Sequence, residues 1–197
     1  MATDGDRIAR PLIFFILGPS GVGKTTLCDH LALHGMLHIN FDRPDCNGVD
    51  QEGLRSEWNA FLDDRNPQTL AEAIRHRVRG AARGGATITC PSGIVPSATT
   101  DAIGPRLCRR YLSQLSATGF CTVILYGSRD DCIRAFLRRE AGSGRGLGQN
   151  HWDENNHYWA HKFQPTDFAE KIVLTFRNGA HRPLAELVAE ILSRVVV

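Results

Sequence analysis

The sequence predicts an α/β protein built on an open, parallel sheet. Three observations carry this expectation. Short apolar runs alternate with helix-periodic stretches, no repeat or low-complexity tract breaks the alternation, and a glycine-rich turn joins the first run directly to a helix. At 197 residues, 42% apolar and 22% charged, the chain fits one domain spanning 1–197 with a full core.

Met1 to Arg10 is polar and ends at Pro11. Leu12-Ile13-Phe14-Phe15-Ile16-Leu17 then reads as a buried strand, and Thr26 to Ala32 reads as a helix closing near His34-Gly35. The turn between them, Gly18-Pro19-Ser20-Gly21-Val22-Gly23-Lys24-Thr25-Thr26, matches G-x-x-x-x-G-K-[ST] at every fixed position. Gly18, Gly21 and Gly23 allow backbone turns closed to other residues, so successive amides can face inward at the positive end of the helix and cradle phosphate. Gly18, Ser20, Gly21, Val22, Gly23, Lys24, Thr25 and Thr26 are therefore the candidate nucleotide-binding residues. Lys24 is expected on the terminal phosphates, and the Thr25 hydroxyl on Mg2+. The chain is expected to bind a nucleoside triphosphate, ATP in the first instance.

Met36 to Phe41 reads as the second strand, closing in Asp42-Arg43-Pro44-Asp45. Ligands of open parallel sheets bind at the carboxyl ends of the strands, so Asp42 and Asp45 are expected on the same rim as the glycine-rich turn. Asp42 is the candidate acid that takes a proton from an attacking hydroxyl or holds Mg2+ through water. Neither the third strand, Ala86 to Cys90, nor the fourth, Thr122 to Gly127, ends in an Asp, which strengthens Asp42 as the metal partner. Asp45, Trp58 on a helix of 50–64, and Gly93 after the third strand are the further candidates for the acceptor side.

A second helix is expected from Asn66-Pro67, with Asn66 as cap, to about Arg83, and another over Thr100 to Ala117. Ser128-Arg129-Asp130-Asp131 has the pattern of a helix cap. The helix it opens gives way to Ala141-Gly142-Ser143-Gly144-Arg145-Gly146-Leu147-Gly148, where four glycines surround one arginine. Such composition suits a lid over about 141–150, whose closure would bring Arg145 onto a transferring phosphoryl group and exclude water. Without ligand the segment is expected to be open and Arg145 solvated. A helix over His151 to His161 is expected to shape the acceptor pocket or to pack Trp152 and Trp159 under the lid. His157 and His161 stand at i, i+4, but no third ligand follows at a zinc spacing. Lys171 to Phe176 reads as the fifth strand, Arg177 to Arg182 as a loop, and Pro183 to Val195 as the closing helix.

Composition narrows the partners. A net charge of +2 gives no long-range attraction to nucleic acid or to a membrane. Of the 23 basic residues, Lys24, Lys162 and Lys171 are the lysines and the rest are arginine, whose planar fork suits phosphate. The six cysteines contain no C-x-x-C pair, and no secretory signal opens the chain, so a reduced, cytoplasmic protein is expected.

In its order of motifs the chain resembles the small phosphate-loop kinases. Phosphate loop, Asp after the second strand, Gly after the third, arginine-bearing lid after the fourth and a loop before the last helix follow one another over nearly the whole length. It is most similar to the shikimate kinase-like branch, which includes gluconate kinase. The resemblance implies a three-layer α/β/α fold with a five-stranded parallel sheet in the order 2-3-1-4-5. It implies Lys24, Asp42 and Arg145 as catalytic residues, with Arg138 or Arg139 against the adenine and the loop of 177–183 on its other face. The departures fall on the acceptor side: Asp42-Arg43-Pro44-Asp45 replaces a D-x-D, Gly93 stands alone, and Gly146 follows the lid arginine where proline is expected. They speak against shikimate and leave the acceptor open between a hydroxyl and a phosphate of a small molecule. Two other readings stand beside this one. A regulatory nucleotide-binding module is one, although no guanine-reading N/T-K-x-D occurs. A kinase of nucleotide or polynucleotide ends is the other, which Asn40-Phe41-Asp42-Arg43 resembles over a short stretch.

Overall fold

The computed structural model describes residues 11–41, 52–64, 66–98 and 106–194. Asp42 and Asp45 lie outside them. The first strand, β1 (Leu12–Leu17), lies between β3 (Gly85–Thr89) and β6 (Phe120–Tyr126), all parallel. β2 (Met36–Asn40) and β7 (Ile172–Leu174) form the two edges, giving the order β2-β3-β1-β6-β7. Counting only the strands of this sheet, the order is the expected 2-3-1-4-5.

Both faces of a central parallel strand are covered, which is why β1 is apolar throughout. The period of two in a strand sends Ile13, Phe15 and Leu17 to one layer and Phe14 and Ile16 to the other. On the first side they meet α2 (Glu52–Asp64), α3 (Gln68–Gly80) and α4 (Arg109–Ala117), through Leu54, Phe61, Leu70, Ile74 and Leu115. Phe15 packs edge-on to Phe61 and Phe120, with ring centroids 6.1 and 6.0 Å away. On the second side lie α1 (Lys24–Leu33), α5 (Arg129–Ser143) and α8 (Leu184–Ser193), contributing Leu27, Leu31, Ile133, Phe136, Leu187 and Ile191. Burial pushes the thiols of Cys28 and Cys132 up to about 12, so both pack as inert apolar groups.

Local sequence explains several boundaries. Asn66 accepts the amide of Gln68 in front of α3. Ser128 accepts the amide of Asp131 at 3.1 Å and caps α5, as its pattern predicts. The helix expected over Thr100 to Ala117 is shorter. Arg106–Cys108 forms a strand, β5, parallel to β4 (Val95–Ser97), and α4 begins only at Arg109.

After α5 the chain forms two short helices, α6 (Gln149–Asn155) and α7 (His157–His161), then a 3-10 segment over Pro165–Lys171. The stretch expected as a loop at 177–182 contains a hairpin of β8 (Phe176–Arg177) and β9 (Ala180–His181). Asn178 and Gly179 at its tip both have positive φ, 53° and 77°, the requirement of a tight two-residue hairpin turn. No helix among the described residues is long and apolar enough to cross a membrane.

Candidate functional site

β1 delivers the phosphate loop to the carboxyl edge of the sheet, where its shape is set by close approach to neighbours. Gly18 has φ 148°, and a Cβ there would stand 2.6 Å from the Leu125 carbonyl oxygen. Gly21 has φ 84°, and its Cβ would run into the carbonyl of Cys132 on α5. Neither position admits a side chain. Val22 turns inward instead and is fully buried beside Leu27 and Phe136. α1 then begins at Lys24 behind a left-handed Gly23, so the amides of its first turn, which have no helical partners, open toward the loop.

Lys24 is buried, and its Nζ donates to the carbonyls of Gly18 at 2.7 Å and Pro19 at 3.2 Å. The amino group is thus held across the mouth of the loop. A cavity of about 260 Å³ opens here, lined by Ser20, Gly21, Gly23, Lys24, Thr25 and Thr26, and on its far wall by Arg139 and His181. The hairpin supplies His181, whose ring stacks on Phe176 at 4.1 Å and faces Gly23. Burial lowers the pKa of His181, and the charge of Arg138 lowers it further.

A second cavity of about 200 Å³ adjoins the first. Ser20 and Arg139 belong to both, and Ser92, Glu140, Arg145, His151, Asn155 and Asn156 add polar groups to its lining. At its base Glu140, 2% exposed, pairs with Arg139 at 2.9 Å and Arg145 at 2.7 Å and accepts the Ser143 hydroxyl at 3.1 Å. Burial raises the Glu140 pKa, but the bonds from Arg139 and Ser143 and the two guanidinium charges outweigh it, so the carboxyl titrates below its ordinary value. The site therefore presents two arginines fixed through one buried carboxylate.

Most of the nucleotide-binding candidates come together: Ser20, Gly21, Gly23, Lys24, Thr25, Thr26 and Arg139 share the first cavity, with Gly18 and Val22 shaping the loop from behind. Arg138 is exposed and lines neither of the two cavities. Two acceptor-side candidates stand elsewhere. Trp58 belongs to the core, stacked on Phe41 at 4.1 Å and 7% exposed, because its helical stripe faces the sheet. Gly93 is exposed with open space around it, and its neighbour Ser92 lines the cavity instead. The glycine-rich segment is shorter than expected, since α5 continues to Ser143 and α6 starts at Gln149. Arg145 is paired with Glu140 rather than free in solvent.

Among the described residues no three His, Cys, Asp or Glu are grouped to hold a metal ion. Thr25, at the start of α1, borders the first cavity, and its hydroxyl is an oxygen donor of the kind Mg2+ accepts.

The sheet order and the loop define a phosphate-loop α/β domain. Compared with known sequences, the chain matches no family model and no curated protein. Among solved structures it is similar to a gluconokinase from Sinorhizobium meliloti at 21% identity and a TM-score of 0.49, covering 94% of this chain and 92% of that one. A sugar kinase from Janibacter aligns at 15% identity and a TM-score of 0.47, covering 94% of each chain. The shikimate kinase of Acinetobacter baumannii, in complex with shikimate, aligns at 19% identity and a TM-score of 0.45, covering 94% of this chain and 93% of that one.

Proposed function

We propose that this protein is a Mg-ATP-dependent kinase that transfers the γ-phosphoryl group to a hydroxyl or phosphate of a small-molecule acceptor. The observation that carries this reading is the junction of the two cavities at Ser20 and Arg139. A phosphate-binding chamber and a polar chamber meet there, with Lys24 on one side and Arg145 on the other, as a donor and an acceptor of one group require.

In this reading the first-turn amides of α1 and Lys24 hold the terminal phosphates, and Thr25 orients the metal. When bound, Mg2+ neutralises charge on the phosphate oxygens. Arg139 and Arg145 stabilise the transferring group from the far side, within a site from which the 144–148 segment, acting as a lid, excludes water. Asp42, two residues beyond the end of β2, is assigned the acceptor proton. Ser92, His151 and Asn155 contact the acceptor.

The test is ADP release from Mg-ATP across a panel of sugars, hydroxy acids, nucleotides and aminoglycosides, with Lys24→Ala as the control. One acceptor class is expected to release ADP with the wild type and none with the variant. Tight Mg-ATP binding without transfer to any acceptor would instead support a regulatory nucleotide-binding module.

A further inference from the structure

The backbone of Ser20 is gripped from both sides by residues more than a hundred positions away. Its amide donates to Asn156 Oδ1 at 2.7 Å, and its carbonyl accepts the indole N–H of Trp152 at 2.8 Å. Trp152 and Asn156 are each 1% exposed, one turn apart on α6 and its C-cap. Asn156 is itself held, because its amide nitrogen donates to the Trp152 carbonyl at 2.8 Å. The network extends to the turn after β3: the Ser20 hydroxyl donates to Ser92 Oγ at 3.2 Å, and Trp159 on α7 donates to the Ser92 carbonyl at 2.7 Å.

We propose that Trp152 and Asn156 form a positioning clamp on the phosphate loop, so that the affinity of the loop for phosphate depends on the seating of α6. Two bonds to one residue fix the peptide planes on both its sides. With those planes fixed, the orientation of the next amides, Gly21 onward, follows from the loop's own glycine angles. The Ser20 amide is engaged by the clamp, so the cradle left for phosphate begins at Gly21. Because α6 starts directly after the 144–148 segment, any movement of that segment large enough to shift α6 must strain or break both bonds. Loop and segment are therefore linked, and ligand in one favours the seated form of the other. Bonds from two buried side chains to one loop residue suit this task, since losing one partner leaves the other unsatisfied.

This inference rests on the nucleotide reading of the loop, and calorimetric titration of Mg-ADP separates the two. Trp152→Phe keeps the apolar packing and removes the donor; Asn156→Leu keeps the volume and removes the acceptor. Each is expected to weaken Mg-ADP binding about tenfold, measured well below its melting temperature. The double variant should lose less than the product of the two, because both bonds hold the same residue. Residues that merely stabilise the fold would lower the melting temperature and leave the dissociation constant in place. Wild-type dissociation constants in both variants would overturn the clamp while leaving the nucleotide reading intact. No Mg-ADP binding by the wild type would overturn both. Should Asn156→Leu fail to fold, amide exchange in the wild type decides the bond itself: the Ser20 amide is expected to be protected without ligand, and exchange at the rate of an open loop amide would overturn the proposal.

Discussion

Arg145 meets Glu140 at 2.7 Å across the turn that ends α5, so the arginine of the glycine-rich segment is anchored before any ligand arrives. The carboxylate also holds Arg139, and Arg139 borders both cavities. One buried acid thereby sets the position of two cations around the place where a phosphoryl group would pass.

Replacing that acid tests the arrangement. Glu140→Gln removes the charge that holds two guanidinium groups, but both arginines are nearly half exposed and water takes over much of the attraction. The expected loss is about 1 kcal/mol, or roughly 2–4 °C in melting temperature. Its pH dependence has a definite sign. The folded carboxyl titrates below its unfolded value, so its stabilisation is complete above the ordinary glutamate range and is lost as the pH falls through the folded value. Thermal melts of wild type and variant should differ most above about pH 5 and converge on acidification. A gap that widens toward acid would reject the assignment.

Lys24→Ala should abolish ADP release with every acceptor while the protein stays folded. The buried amino group is bonded to the Gly18 and Pro19 carbonyls, so a loss of about 1–2 kcal/mol of stability is expected. Circular dichroism and a thermal melt separate this modest cost from unfolding.

Gly21→Ala addresses the loop itself. Its positive φ and the nearby Cys132 carbonyl combine strain with overlap, so a loss of about 2–4 kcal/mol is expected, together with weaker nucleotide binding. An alanine variant as stable as wild type would mean that α5 does not press on the loop.

The sheet and the loop were legible in the sequence because their signals are local. An apolar run, a glycine pattern and a Ser128 cap each act within a few residues. Trp58 was open in the sequence because an aromatic on a helical stripe can face a pocket or a core, and the packing of Phe41 and Phe15 against it decides for the core. The grip of Trp152 and Asn156 on Ser20 spans more than a hundred residues and leaves no spacing to read. Glu140 carries no signal in the sequence, because its partner Arg145 reaches it only through the turn at Gly144. The hairpin that brings His181 to the loop did carry a local signal, Asn178-Gly179, obscured because the strands beside it are only two residues long.

Asp42→Asn should lower turnover by roughly two to four orders of magnitude with little change in Mg-ATP affinity, as loss of an acceptor-side base would. Steady-state kinetics with the acceptor found in the panel, paired with direct binding of Mg-ATP, check this. Weakened Mg-ATP binding at unchanged turnover would reassign Asp42 to the nucleotide.

Arg145 must change partners for the proposed chemistry, and the geometry makes that exchange inexpensive. When its guanidinium leaves Glu140 for a phosphoryl group, the carboxylate keeps its bonds to Arg139 and Ser143 and is not stranded. Gly144 and Gly146, with φ of 69° and 65°, flank the arginine, and glycine gives the backbone at both positions a wide range of angles. An interaction made chiefly in the transition state acts on turnover more than on ground-state affinity. Arg145→Ala is therefore expected to reduce turnover about a hundredfold or more, ~3 kcal/mol of barrier, with Mg-ATP affinity little altered. Hydrogen exchange over 144–148 should slow when Mg-ATP and the acceptor are bound together, and less with either alone. In Glu140→Gln, Arg145 is held more weakly, so exchange across the same residues should be faster than wild type before ligand and equal to it afterwards. Unchanged turnover in Arg145→Ala, with equal protection of 144–148 under all conditions, would remove Arg145 from the chemistry and leave its bond to Glu140 as a purely structural contact.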